Sequence, residues 1–284
     1  MCLIALAIGV NASCPLLIAA NRDEFYDRPS AALQRWHLPS GAEVVAGRDL
    51  RSGGTWLGIN PGGRVALLTN VRSAQPGPGA RSRGELVTRW LQGELDWTGL
   101  QASIAPRDYA GFNLVVGDFH QGFWAWLSNR KPHAPQQEPS DLLHSHILGA
   151  GLYGLSNAAL DTPWPKTQRI KQALGASLAL LCQPQTAPHW RRPLCAALLD
   201  ARVAADAELP ATGVPLEWER ALSSPFVRLP SLGYGTRSSL LLRVRPGGAG
   251  RWQVRLDEWQ HLVAADATAP QPHSASRRQQ TLLW

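Results

Sequence analysis

The sequence predicts an α+β fold built as a layered sandwich. Three observations lead there: paired apolar runs joined by turn residues near the N-terminus, helical periodicity in the middle of the chain, and a second set of paired runs toward the end. Alternating βαβ units are not indicated by that order. Residues 3–8 and 15–20 are apolar and flank Gly9-Val10-Asn11-Ala12-Ser13, so they are expected to form a hairpin of buried strands. The second strand ends in the polar tetrad Asn21-Arg22-Asp23-Glu24. Because the start of one antiparallel strand lies beside the end of its partner, the tetrad should neighbour Cys2.

Further strands are expected at residues 54–59 and 64–70, joined by Asn60-Pro61-Gly62-Gly63, and then at 112–116 and 122–126. Residues 75–80, rich in proline and glycine, read as a loop before a helix over 83–95. Helices are also expected over 165–181 and 194–207, the first because Ile170, Leu174, Leu178 and Leu181 recur every three or four residues. Two last strands, 238–244 and 251–256, flank Pro246-Gly247-Gly248. One domain is expected over residues 1–264, followed by a polar C-terminal tail, 265–284, whose final apolar residues could dock.

The net charge of +7 comes almost wholly from arginine, since lysine occurs only at Lys131, Lys166 and Lys171. The arginines are interspersed with acids and no nucleic-acid-binding motif accompanies them, so a solvated surface is expected and no nucleic-acid partner. Cysteines at 2, 14, 182 and 195 form no CxxC pair, and His144-x-His146 is the only close histidine pair. Neither a metal site nor a disulfide framework is expected, and a reducing, cytoplasmic location is. The apolar segment 2–20 lacks a preceding basic residue and is broken by a turn, so it does not read as a signal peptide, and no transmembrane segment is expected. The glycines at 53–54 and 62–63 lack the GxxxxGK[ST] pattern of a phosphate loop.

The chemistry centres on Met1-Cys2. Removal of Met1 would leave a thiol, with an ordinary pKa of about 8.5, and an α-amine, with one of about 8, on a single residue. The amine can then act as base for the thiol. A guanidinium nearby would favour the thiolate, and Asp23 could hold the ammonium.

Ala19-Ala20-Asn21-Arg22-Asp23-Glu24-Phe25-Tyr26 with Arg28-Pro29 resembles the signature of the NRDE proteins, the TANGO2 (transport and Golgi organisation 2) family. The resemblance continues through Gly53-Gly54-Thr55-Trp56-Leu57-Gly58-Ile59, Leu68-Thr69-Asn70, Arg83-Gly84-Glu85-Leu86-Val87, Gly111-Phe112-Asn113-Leu114, Tyr153-Gly154-Leu155-Ser156-Asn157 and Gly233-Tyr234-Gly235-Thr236-Arg237. That family is in turn similar to the cysteine branch of the N-terminal-nucleophile (Ntn) hydrolases, the penicillin V acylases and bile salt hydrolases. The resemblance implies a four-layer αββα sandwich. It also implies a catalytic set in which Cys2 is the nucleophile, Asp23 orders it, Asn70 and Asn157 bind the oxyanion, and Arg237 is the late arginine. Asn21, Arg22, Glu24 and Trp56 are the expected substrate-binding residues.

One departure stands out. The hydrolases carry their early arginine three positions before the aspartate, where this chain has Ala20, and Arg22 directly precedes Asp23. Strand alternation is therefore expected to displace Arg22 from the hydrolase position. Asn70 and Asn157 read equally well as strand or turn ends, and Arg237 as either an anion-binding residue or a structural partner of Asp23 or Glu24. Most of the twelve tryptophans, Trp124, Trp126 and Trp164 among them, read as packing residues rather than a ligand cage.

The residues and the resemblance together imply two alternative functions. The first is a hydrolase of amide or thioester bonds in a small acyl substrate, requiring no cofactor. The second is a non-catalytic protein that binds and traffics haem or acyl-CoA and lipid in the same pocket, with haem as a candidate bound ligand and Cys2 able to ligate its iron.

Overall fold

The apolar runs at the N-terminus form the expected hairpin, β1 (Cys2–Ile8) against β2 (Leu16–Phe25), with Cys2 directly opposite Arg22. All seven residues of β1 are buried, so both faces of this hairpin must be covered. The computed structural model of the chain describes residues 2–74, 79–132, 140–261 and 276–284. Among them is a mixed α/β fold of two seven-stranded sheets and several helices.

The first sheet runs β10 (Gly151–Leu155), β1, β2, β12 (Tyr234–Pro246), β13 (Trp252–Gln260) and β14 (Ser276–Leu283), with β11 (Arg228–Leu229) paired to β12. The second is an antiparallel meander in chain order: β3 (Ser30–His37), β4 (Glu43–Asp49), β5 (Leu57–Ile59), β6 (Arg64–Asn70), β7 (Phe112–Asp118), β8 (Phe123–Ser128) and β9 (His144–Ile147). Strand alternation then partitions the core. Ile4, Leu6 and Ile18 pack with Val45, Leu67 and Val115 in a cluster shared by the two sheets. Leu3, Ala5 and Leu17 face the opposite way, onto Ile170 and Leu174 of α3 (Pro165–Leu181) and Leu194 and Leu198 of α4 (Arg191–Leu198). Leu114 and Val116 of the second sheet pack with Leu86 and Val87 of α1 (Gly84–Leu91) and Leu100 of α2 (Trp97–Ala102).

Several elements differ from expectation for reasons that are tertiary. The strand expected over 54–59 is confined to Leu57–Ile59, because Gly54 lies against the start of α1, where a Cβ would meet the Gly84 carbonyl carbon at 2.6 Å. The helix expected over 194–207 is Arg191–Leu198, and its final carbonyl accepts the Asn21 amide of β2 at 2.7 Å. Strands β3 and β4 escape the sequence pattern because β3 mixes polar and apolar residues and breaks register between Ala31 and Gln34.

The expected tail divides. Its residues 276–283 form β14 along β13, Leu282 and Trp284 are buried, and the Trp284 indole donates to the Asn60 carbonyl at 3.0 Å. Residues 265–275, the loop residues 75–78 and Met1 lie outside the described residues. No helix among the described residues is long and apolar enough to cross a membrane.

Candidate active site

Cys2 opens β1 and contributes to the wall of a cavity of about 910 Å³. Arg22, Glu24, Trp56, Asn70 and Arg83 line the same cavity. Burial pushes the Cys2 thiol above its usual range, reinforced by the negative charge of Asp23 and opposed by Arg22. At neutral pH the thiol is therefore protonated and needs a base.

Arg22 does not stand away from the nucleophile. Position 22 faces Cys2 across the hairpin, and positions 20 and 22, being two apart, share one face of β2. The expectation that alternation would displace Arg22 is corrected by this register. Its guanidinium lies over the Trp56 ring at 4.2 Å and 3.7 Å from a Glu24 carboxylate oxygen. Trp56 is set by a close approach: a Cβ on Gly47 would stand 2.5 Å from the indole. Glu24 is shared with Arg28 at 3.7 Å, and Arg28 with Asp49 at 2.6 Å, so an ion-pair chain runs along one side of the cavity.

Asp23 is 1% exposed and accepts a hydrogen bond from Thr236 at 2.7 Å. Burial raises its pKa, and the nearby charge of Lys166 is the strongest influence against that rise. Asn70 and Asn157 are brought together: the Asn157 side-chain amide donates to the Asn70 carbonyl at 2.9 Å, while the Asn157 carbonyl accepts from the Arg72 backbone at 2.8 Å. Asn157 thus spends its amide on holding Asn70, which is the one of the pair that lines the cavity. Ser156 ties this corner to the nucleophile by donating to the Cys2 carbonyl at 3.2 Å.

Two expected site residues direct their side-chain donors to backbone carbonyls. Asn21 points to the helix side, donating to the carbonyls of Leu198 and Pro225 at 2.7 and 2.9 Å and accepting from Ser239 at 2.6 Å. Arg237 occupies the irregularity in register between Thr236 and Ser238 and donates to the carbonyls of Phe25, Tyr26 and Arg28 at 2.8, 3.0 and 3.3 Å. It clamps the chain leaving β2, and no ion pair joins it to Asp23 or Glu24 among the described residues.

Lys166 is the residue that sequence reasoning missed. It is 1% exposed in the first turn of α3, and its Nζ has no hydrogen-bond partner among the described residues. Burial, assisted by the Arg72 charge, lowers its pKa to about 7, against the raising influence of Asp23 and Cys2. Arg72 is itself buried in an ion pair with Glu219. A signal for Lys166 existed: a cation just after Pro165, at the positive end of a helix, goes against the helix dipole. The described residues contain no cluster of His, Cys, Asp and Glu able to hold a metal ion.

Among solved structures the chain is similar to the Caenorhabditis elegans N-acylethanolamine-hydrolyzing acid amidase ortholog, with a TM-score of 0.45, 11% identity, and 84% of this chain and 92% of that chain covered. It is also similar to the C2A mutant of the conjugated bile acid hydrolase from Clostridium perfringens, with a TM-score of 0.38, 8% identity, and 87% and 89% covered. By sequence it is 36% identical over 250 residues to the human Transport and Golgi organization protein 2 homolog, and 34% identical over 248 residues to the Bos taurus homolog. Each alignment covers 82% of this chain and 83% of the relative. The model of the Transport and Golgi organisation 2 family matches residues 1–253, and the chain belongs to that family.

Proposed function

We propose that the chain is a four-layer αββα protein of the Ntn-hydrolase type in which Cys2 cleaves an amide or thioester bond of a small acyl substrate. The observation that carries this reading is Cys2 at a strand start in the cavity wall, with Arg22 directly across and Asn70 beside the same cavity. Removal of Met1 exposes the Cys2 α-amine. As Sγ attacks the acyl carbon, the thiol proton passes to that amine, and the carbonyl π electrons move onto oxygen. The Asn70 side-chain amide donates to this oxyanion, a contribution of about 3 to 4 kcal/mol for a well-placed donor. Asp23 holds the ammonium, and Arg22 stabilises negative charge on sulfur. Collapse of the intermediate breaks the bond to the leaving amine or thiol, which takes the proton and leaves a Cys2 thioester. Water then attacks the thioester, giving its proton to the α-amine, and release of the acid restores the thiol.

Intact mass of the purified protein combined with iodoacetamide labelling tests the first requirement, and turnover of acyl-amide and acyl-thioester panels by wild type and Cys2→Ala tests the second. Retention of Met1, or a Cys2→Ala protein as active as wild type, overturns the reading. Its setting is a reducing, cytoplasmic compartment, a placement supported by four free cysteines.

A second reading, retention of an anionic ligand without cleavage, is favoured by the arginines of the cavity wall, where Arg51 and Arg83 add to the paired Arg22 and Arg28. Acyl-CoA suits that wall. Haem would find Cys2 as a sulfur donor, and a Soret band lost in Cys2→Ala would single it out.

A further inference from the structure

The outer face of the first sheet, beyond the start of α4, holds a second recess of about 370 Å³. Arg191, Arg243, Arg245 and Arg255 line it over Trp190, and Asp257 is its one carboxylate among the described residues. Asp257 is 1% exposed and binds Arg191 at 2.8 Å, Arg255 at 2.9 Å and, from β14, Arg277 at 2.6 Å. Among the described residues Arg245 has only the neutral Gln253 side chain, at 2.6 Å. Three guanidiniums thus meet on one carboxylate while Arg243 and Arg245 line the same recess, a surplus of four positive charges among the described residues.

Two details separate this cluster from a solvated arginine face. The Nε atoms of Arg191 and Arg243 are buried without a hydrogen-bond partner among the described residues. Both guanidiniums are also held against the Trp190 indole, at 5.1 and 5.3 Å from the ring centre. Holding like charges together in a recess opposes folding unless an anion offsets them. Planar guanidinium forks match phosphate oxygens in pairs, and a surplus of this size suits a multiply charged anion.

We propose that this recess binds a small ligand carrying clustered phosphate groups, at a site separate from the Cys2 cavity. The ligand is a soluble oligophosphate or the headgroup of a polyphosphorylated lipid, which share the chemistry that the arginines read. Isothermal titration of inorganic triphosphate into wild type should show one saturable site that weakens with added salt. The Arg191→Gln/Arg243→Gln variant should bind at least about tenfold more weakly, the scale of one charged hydrogen bond. Arg245→Glu, at the exposed rim, should also weaken binding and guards against misfolding of the double variant. Iodoacetamide labelling of Cys2 should be unchanged in all three proteins.

Sedimentation with phosphatidylcholine vesicles, with and without phosphatidylinositol bisphosphate, assigns the source. Co-sedimentation only with the phosphorylated lipid, lost in both variants, supports a headgroup. Triphosphate binding without co-sedimentation supports a soluble ligand. Triphosphate affinity equal in wild type and both variants, or no binding to triphosphate or vesicles, overturns the proposal.

Discussion

Replacing Lys166 with Met keeps the length and burial of the side chain and removes its charge. In wild type the Lys166 pKa falls from 10.5 to about 7, so the folded protein releases a proton that the unfolded chain still holds. Between about pH 7 and about pH 10.5 the unfolded state binds more protons, and stability from this group rises with pH. The gain is absent below the folded pKa and complete above the unfolded one. For a shift of this size, linkage gives a gain of about 2 kcal/mol between about pH 7 and about pH 9. Urea unfolding of wild type and Lys166→Met across that interval measures the difference in slope. The Asp23→Asn/Lys166→Met double variant removes the partner charge as well and controls for a carboxylate left buried without its cation. Stability curves of wild type and Lys166→Met that run parallel with pH would refute a buried, depressed lysine behind Cys2.

Gly47→Ala would drive a methyl group into the Trp56 indole, and is expected to cost about 1 to 3 kcal/mol and to change Cys2 labelling by displacing the Arg22–Trp56 stack; thermal unfolding and alkylation rates check it. Trp284→Ala removes a buried indole and its 3.0 Å bond to Asn60, an expected loss of about 3 to 5 kcal/mol, read by urea unfolding with the Cys2 site as an internal reference. His261, lowered to about 4 by burial beside Ser239 and Phe226, resists protonation in the folded state. Its stabilising contribution is complete above about pH 6.5 and is lost as pH falls toward about pH 4, by about 3 kcal/mol in total. His261→Gln should abolish that part of the acid sensitivity in a urea titration against pH.

The sequence by itself determined the elements whose signal is local. The hairpin of β1 and β2 follows from two apolar runs and the turn between them, and pairing places the polar tetrad beside Cys2. Helix α3 matches its expected bounds because its apolar period continues to Leu181. Only tertiary structure decided where each polar side chain is used, since that depends on what the rest of the chain brings to it. Asn21 and Arg22 are neighbours in one motif, yet alternation sends the first to the end of α4 and the second to the cavity. Arg237 and Asn157 fit an active-site pattern, yet their donors meet backbone carbonyls. Lys166 belongs to no motif, and its importance lies in burial within reach of the Asp23 charge, a relation between α3 and β2 that no local pattern encodes. The polar C-terminal segment reads as a tail until β13 offers an edge and the core offers room for Trp284, and pairing then outweighs the local composition.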